Sequence, residues 1–352
     1  MALSAAIFLF SIFVAFLVYR LLFRENINWS KIFFRTGPAG TDLIGGSCVP
    51  IKIGRKLSKF RNTSLYKAAL KALNLEEHEA IHCENIGDNF NYFCDLSDAI
   101  KMAGLESSNV IIGVDFTASN EWQGRNSLDR KSLHTLFKNK RSNPYQQVIA
   151  TLSATLEPFD DDNLIPAFGF GDVTTKATSV FPFNKDGFPC KGFERVLERY
   201  EAIVKTVELS GPTSFVPIIE KAMDIVKESQ SYHILVIIAD GQVENEEDEA
   251  TRKALVKASF FPLSIIVVGV GDGPWNNMYT YDEKLPSRLF DNFQFVDYHD
   301  CISKSNKSPE LTFALHALME IPDQYKAIKN LGLIEGKQTC LKKSSRGHNA
   351  KT

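Results

Sequence analysis

Oxygen-bearing side chains occur in three short segments that are far apart in the chain, each at a point where an apolar run gives way to polar residues. Asp115, Thr117 and Ser119 lie in the first segment, Thr213 in the second and Asp240 in the third. They supply two carboxylates and three hydroxyls, the hard oxygen ligands that suit Mg²⁺ or Mn²⁺ rather than zinc or copper. The spacing of the first three lets one turning loop direct three oxygens to one point. The sequence therefore predicts a Mg²⁺ or Mn²⁺ site with one position left for a carboxylate from outside.

Four continuous apolar runs predict strands that are buried on both faces, as in a parallel sheet; they are residues 110–114, 164–168, 234–239 and 263–270. Helical periodicity lies around and between them, at residues 96–103, 144–156, 192–204, 215–228 and 250–258. The alternation predicts an α/β fold, a doubly wound, mostly parallel sheet with helices on both faces. Asp115 and Asp240 each close a strand. Ligand sites of such sheets form beyond the carboxyl ends of strands, where the strand order switches.

The chain is predicted to contain five segments: a hydrophobic anchor (1–23), a basic linker (24–61), a helical segment (62–104), the α/β domain (105–328) and a basic flexible tail (329–352). Residues 2–19 carry no charge, and extension to residue 23 gives enough length to cross a bilayer. The cations follow this run, which predicts membrane anchorage through residues 2–23 with the domain facing the cytosol. A signal peptide or an interfacial helix stays open as an alternative. Without an anchor, the protein is expected in the cytoplasm or nucleus.

Bulk composition excludes few function classes. The 352 residues are 44% hydrophobic and 23% charged, and the net charge of −2 gives no argument for nucleic-acid binding. The six cysteines are scattered without a C-x-x-C pair, which is typical of reduced thiols in the cytosol. We expect free, mostly buried thiols.

Residues 110–120, VIIGVDFTASN, resemble the metal-ion-dependent adhesion site of von Willebrand factor A domains in the form used by copines. Similar motifs follow in the family's order, at residues 144–145, 167–172, 210–215, 237–242, 268–273, 290–296 and 317–322. The resemblance covers about residues 95–328. It implies that Asp115, Thr117, Ser119, Thr213 and Asp240 are the metal ligands. It also implies a metal-dependent adaptor or scaffold that coordinates an Asp or Glu of a protein partner, with no bond chemistry.

Three further segments, at residues 105–109, 120–122 and 273–275, are similar to plant ubiquitin ligases that join a copine-type domain to a RING finger. A RING needs about eight Cys or His ligands, and only Cys340 and His348 follow Pro322. The myristoylation glycine expected after Met1 is replaced by Ala2. The alternative function is therefore a RING-less member or regulator of a ubiquitin-ligase system, with the ubiquitination machinery among its partners. The relatives are enzymes, but we expect no catalytic residue in this chain.

A third hypothesis is a zinc protease, because His78, Glu79 and His82 form the pattern H-E-x-x-H. Charged Glu77 precedes the first histidine, and no obvious third ligand follows. This hypothesis predicts stoichiometric zinc that is lost on His82→Ala. A solvated helical face is the alternative interpretation of the same residues.

Overall fold

The computed structural model describes residues 93–334, except 106–107, 139–140, 158–159, 161, 242, 244, 286–287 and 305–308. The predicted anchor, basic linker and tail, most of the predicted helical segment and the His78–His82 pattern lie outside the described residues. Among the residues that are described, no helix has both the length and the apolar character needed to span a bilayer.

The described strands form one six-stranded sheet and one small two-stranded ribbon. The order in the main sheet is β4-β3-β1-β6-β7-β8, with β4 antiparallel at one edge and the others parallel. The strands are β1 (Asn109–Asp115), β2 (Leu164–Ile165), β3 (Ala167–Phe170), β4 (Phe181–Pro182), β5 (Cys190–Lys191), β6 (His233–Ala239), β7 (Leu263–Gly269) and β8 (Phe293–Asp297). After β1, the strands β3 and β4 are added on one side of β1. The later strands β6, β7 and β8 are added on its other side. The strand order therefore switches at β1 and β6.

Nine α-helices are described around the sheet: α1 (Phe93–Ala103), α2 (Pro144–Leu156), α3 (Gly192–Val204), α4 (Val216–Ser229), α5 (Asn245–Ala258), α6 (Asn276–Lys284), α7 (Tyr298–Lys304), α8 (Pro309–Leu318) and α9 (Ile321–Asn330). A short 3-10 helix (Ala118–Glu121) follows β1. Helix α2 has the predicted bounds, 144–156, because its first turn is fixed locally. Asn143 accepts a hydrogen bond from the Gln146 amide, the Gln146 side chain accepts one from the Asn143 amide, and Pro144 starts the helix.

Two apolar cores, one on each face of the sheet, confirm the prediction of strands buried on both faces. Alternate residues of β6 show the division, with Val236 in one core and Leu235 in the other. Helices α1, α2, α3, α8 and α9 contribute to the first core, and α4, α5 and α6 to the second. Because successive side chains of a strand point to opposite faces, a strand covered on both sides must be apolar throughout. The α/β class and the mostly parallel sheet are thus as predicted.

The single strand predicted over residues 164–168 is wrong in detail. Pro166 divides it into β2, which pairs antiparallel with β5, and β3, which pairs with β1 in the main sheet. Proline has no N–H to donate to a sheet and interrupts regular pairing. The Pro166 carbonyl still accepts a hydrogen bond from Ile112 of β1, so the chain stays beside the sheet while it changes partner.

Candidate metal centre

Asp115 and Asp240 lie at the carboxyl ends of the two central strands. Asp115 is the last residue of β1, and Asp240 directly follows β6. The two strands are parallel neighbours, with Val114 opposite Ile238. Both carboxylates therefore emerge at the same edge of the sheet, at the point where the strand order switches. Ligands of doubly wound sheets bind at this position.

The loop after β1 turns back on Asp115. The Thr117 amide donates a hydrogen bond to Oδ1 of Asp115 across 2.8 Å. Thr117 itself is extended, and the 3-10 helix starts at the next residue. This change of direction brings the hydroxyl oxygens of Thr117 and Ser119 to 2.9 Å from each other. Three of the predicted ligand residues are thus joined by direct contacts within one turn.

Thr213 reaches the same place from a distant part of the chain. Ser210 forms a parallel β-bridge with Thr117, and its amide donates to the carbonyl of Gly171 across 3.1 Å. The segment beyond Ser210 then brings the Thr213 hydroxyl to 3.4 Å from that of Thr117. Thr213 is 5% exposed. The fourth predicted ligand residue therefore lies against the first loop.

Glycines allow the surrounding loops to approach the site. Gly171 has a φ of +84°, and a Cβ at this position would overlap Cγ2 of Thr117. Gly271, in the loop after β7, would overlap the carbonyl oxygen of Asp240 if it carried a Cβ. Because Gly171 and Gly271 lack a side chain, the loops after β3 and β7 can approach Thr117 and Asp240.

Asp115 and Asp240 are fully buried, yet three of their four carboxylate oxygens accept no hydrogen bond from the described residues: Oδ2 of Asp115 and both oxygens of Asp240. Burial raises the pKa of Asp115 to about 6, against the lowering effect of its hydrogen bonds with Thr117. Burial, and then the negative charge of Asp115, raise the pKa of Asp240 well above its ordinary value, although the nearby Ser119 hydroxyl acts in the opposite direction. Two adjacent buried carboxylates with so few donors are costly unless a proton or a cation neutralises them.

Asp172 lies close by and shows the opposite arrangement. Its carboxylate accepts hydrogen bonds from both the amides and the hydroxyls of Thr174 and Thr175. Burial alone would raise the pKa of Asp172, but these hydrogen bonds outweigh burial and lower it. The shortage of donors is therefore a particular property of Asp115 and Asp240, and Asp172 at the same edge does not share it.

A buried histidine, which the sequence does not predict as a site residue, lies against the backbone of Asp115. Nε2 of His134 lies 3.0 Å from the carbonyl oxygen of Asp115, and Nδ1 lies 2.8 Å from the hydroxyl of Tyr200. Burial lowers the pKa of His134 to about 3, so the ring is neutral at physiological pH. His134 belongs to no recognisable motif and lies in an irregular segment, so the sequence carries no signal for it.

Asp115, Thr117, Ser119 and Thr213 are joined by the contacts described above, and Asp240 directly follows the neighbouring strand at the same edge of the sheet. In the described ranges, no cluster of three or more His, Cys, Asp or Glu side chains is arranged to hold a metal ion. The donor set at this edge consists of two carboxylates and three hydroxyls, which suits a hard cation that keeps bound waters. Metal binding by these residues stays a prediction.

Comparison with known proteins shows the family. Residues 132–337 match the copine family profile, described as "Copine". The chain is 53% identical over 263 residues to the E3 ubiquitin-protein ligase RGLG5 of Arabidopsis thaliana, an alignment that covers 71% of this chain and 60% of the relative. It is 51% identical over 253 residues to copine family protein 2 of Caenorhabditis elegans, which covers 70% of this chain and 3% of that protein. The chain belongs to the copine family.

The chain spans only about 60% of the length of RGLG5, so the activity of that whole protein does not transfer with the match. Among solved structures, a von Willebrand factor type A protein from Catenulispora acidiphila is similar at a TM-score of 0.33 and 12% identity, covering 64% of this chain and 43% of the other. A likeness at this level adds nothing to the assignment.

Proposed function

We propose that this copine-family chain is a metal-dependent protein-binding module, an adaptor or scaffold, that uses Mg²⁺ or Mn²⁺ to bind an acidic side chain of a partner protein. The observation that carries the proposal is the set of three buried carboxylate oxygens without a hydrogen-bond donor in Asp115 and Asp240. A divalent cation would neutralise both charges at once. This neutralisation would turn an unfavourable cluster into a stable site.

The residue types suit such an ion. Asp115 and Asp240 would supply the negative charge, and the hydroxyls of Thr117, Ser119 and Thr213 would supply neutral oxygens, directly or through water. When bound, the cation would supply a positive charge that attracts a carboxylate from outside. Ser119 is partly exposed, whereas the other four residues are buried. This difference favours approach of a partner from the Ser119 side.

Two exposed apolar side chains, Trp122 and Val173, lie on the loops beside the predicted ligands and favour a protein partner over a small solute. The large hydrophobic side chains that are exposed in the described residues are Met102, Trp122, Leu164, Val173, Phe188 and Tyr279. The Trp122 amide donates to the carbonyl of Ser119 across 3.0 Å, and Val173 lies two residues beyond Gly171. Apolar groups beside a polar site are typical of protein interfaces.

The proposal is tested by capturing partners from cell lysate with the full chain, in Mg²⁺ and in EDTA, beside an Asp115→Ala/Asp240→Ala variant. Asp98→Ala, which removes an exposed carboxylate on α1, is the matched control. Partners that bind wild type and the control in Mg²⁺, and that are lost both in EDTA and from the double variant, are the expected result. Partners that still bind in EDTA, and that bind the double variant as well as the wild type, would contradict a metal-dependent role.

A second candidate is a part in protein ubiquitination as a RING-less recruiter or competitor, favoured by the 53% identity to RGLG5. A chain that shares the copine-type region with a ligase would bind the same substrates. It would then either deliver them to the ligase or withhold them. Both roles depend on the same surface and so on the same five residues.

The second candidate is tested by offering the captured partners to RGLG5 in a reconstituted ubiquitination reaction, with and without this chain. A recruiter increases the ubiquitination of a shared partner and a competitor decreases it. The Asp115→Ala/Asp240→Ala variant should do neither. Ubiquitination that is the same with wild type, with the variant and with no added chain would exclude this candidate and leave the adaptor function open to its own test.

A further inference from the structure

The backbone carbonyl of Asp115 is held by a side chain from outside its own loop. Nε2 of His134 lies 3.0 Å from this oxygen. The Asn120 amide group also points at it, from a longer 3.5 Å. On the far side of the loop, the Phe116 amide donates to the Phe170 carbonyl across 2.8 Å. The peptide unit between Asp115 and Phe116 is therefore fixed at both its oxygen and its nitrogen.

The His134 ring has no freedom to turn away. It stacks between Phe116, at a centroid distance of 4.8 Å and an angle of 16°, and Tyr145, at 4.3 Å and 18°. The adjacent Leu133 amide donates to the Asn120 carbonyl across 3.0 Å. His134 is 5% exposed. Aromatic stacking thus orients the ring, and the backbone hydrogen bond of Leu133 holds the segment that carries His134 against the loop after β1.

The hydrogen bonds of His134 continue into two helices. A carbonyl oxygen only accepts, so Nε2 of the neutral ring carries the hydrogen and Nδ1 accepts from the Tyr200 hydroxyl at 2.8 Å. The side-chain amide of Asn143 in turn donates to the Tyr200 oxygen across 3.1 Å. Asn143 caps α2 and Tyr200 belongs to α3. A chain of three donors therefore connects two helices to the backbone of Asp115.

We propose that His134 is a positioning residue that, through the Asp115 carbonyl, sets the direction in which the chain leaves β1 and so the place of the Asp115 carboxylate opposite Asp240. The link to metal binding rests on the function proposed above. The effect on the loop itself does not, because every contact that carries it is present without a metal. Groups that orient a ligand residue through a hydrogen bond change metal affinity without touching the metal.

Two substitutions separate the hydrogen bond from the packing. His134→Gln keeps an N–H donor near the place of Nε2, whereas His134→Phe keeps the stacked ring and removes the donor. Tyr232→Phe is the control for the loss of a buried hydrogen bond far from the site, because the Tyr232 hydroxyl donates to Ser264 across 2.8 Å.

The first measurement is amide hydrogen exchange of the metal-free full chain. We expect His134→Phe to raise exchange by about tenfold or more for residues 116–123, while exchange in β7 is unchanged. His134→Gln should stay close to wild type, and Tyr232→Phe should not affect these residues. If His134→Phe fails to fold, Tyr200→Phe takes its place, since it removes the donor that holds Nδ1, and it must also raise exchange at residues 116–123.

The second measurement is Mn²⁺ affinity. His134→Phe should weaken binding by about tenfold, within the 10–100-fold range for such supporting groups, and His134→Gln should recover most of it. The proposal would be overturned if His134→Phe had the amide exchange and the Mn²⁺ affinity of the wild type. It would also be overturned if His134→Gln and His134→Phe lost Mn²⁺ affinity to the same extent. A wild-type chain that binds no Mn²⁺ would remove the proposed function, and the exchange result would still decide whether His134 positions the loop.

Discussion

The Thr117 amide donates to one oxygen of Asp115 across 2.8 Å and leaves the other oxygen without a donor among the described residues. The single hydrogen bond orients the carboxylate without neutralising it. Neither oxygen of Asp240, directly after the neighbouring strand, has a donor within hydrogen-bonding geometry among these residues, although the Ser119 hydroxyl lies nearby. The fold therefore orients the two carboxylates but does not compensate their negative charge, as expected of residues that bind a cation.

Asp240→Asn should stabilise the metal-free protein, because a neutral amide does not repel the adjacent Asp115 carboxylate and can donate a hydrogen bond to it. We expect a gain of about 1.5–3 kcal/mol, the usual contribution of a hydrogen bond to a charged group. The melting temperature would rise by about 2–4 °C for each kcal/mol in a domain of this size. Thermal unfolding in EDTA at pH 7.5 measures the effect.

Asp172→Asn is the matched control for that experiment. Its carboxylate accepts hydrogen bonds from Thr174 and Thr175, so its replacement should lower the melting temperature. If both variants lost stability to the same extent, the carboxylates of Asp240 and Asp172 would be equally well satisfied, and the argument for a cation at Asp240 would fail.

Metal binding should weaken as the pH falls from 8 towards 5. In the metal-free fold, burial raises the pKa of Asp115 from 3.8 to about 6, and burial and the charge of Asp115 raise the pKa of Asp240 well above its ordinary value. A raised carboxyl pKa contributes stability that is fully present below the unfolded value of 3.8 and is lost as the pH rises through the folded value. Acid therefore stabilises the metal-free pair, and protons compete with the cation.

The difference in melting temperature with and without Mg²⁺ tests this dependence. In the wild-type chain, this difference should be largest near pH 8 and should shrink towards pH 5. The Asp115→Ala/Asp240→Ala variant should show no difference at any pH. An Mg²⁺ effect of constant size from pH 8 to pH 5 would mean that the ion binds elsewhere.

Gly171→Ala should damage the site, because a Cβ at this residue overlaps Cγ2 of Thr117 and the backbone has a positive φ. Overlap in a packed region costs about 1–3 kcal/mol, in addition to the strain of the positive φ. Gly187→Ala is the control, since φ is +79° there but nothing lies within 4 Å of the added Cβ. Both variants should lose stability in thermal unfolding, Gly171→Ala by more.

Mn²⁺ affinity separates the two glycine variants further. Displacement of Thr117 should weaken binding in Gly171→Ala, while Gly187→Ala binds like wild type. Equal affinity in both would show that the position of Thr117 does not matter for the ion.

Much of this arrangement could be predicted from the sequence because its causes are local. Continuous apolar runs mark β1, β6 and β7, and helical periodicity marks α2. The strand β8 and the helices α6 to α9 were not predicted. Phe293–Asp297 alternates aromatic residues with a buried Gln294, so this strand lacks the continuous apolar pattern of the others.

The five predicted ligand residues could be singled out because hydroxyls and carboxylates after apolar runs form a recognisable pattern, and their binding of a metal stays a prediction. His134 and Tyr200 were not found because their role depends on contacts between distant segments. A histidine 19 residues beyond Asp115 gives no sign in the sequence that it hydrogen-bonds to the carbonyl of that residue. Predictions about the anchor, the linker and His78–His82 concern residues outside those described, and they stay predictions.

Metal binding by Asp115 and Asp240 is tested most directly by titration of Mn²⁺ into the full chain, followed by electron paramagnetic resonance of the free ion. We expect one Mn²⁺ per wild-type chain, displaced by excess Mg²⁺, unaffected by Asp98→Ala and lost in Asp115→Ala/Asp240→Ala. A wild-type chain that binds no Mn²⁺, or a double variant that binds it as wild type does, would show that these two residues do not form a metal site.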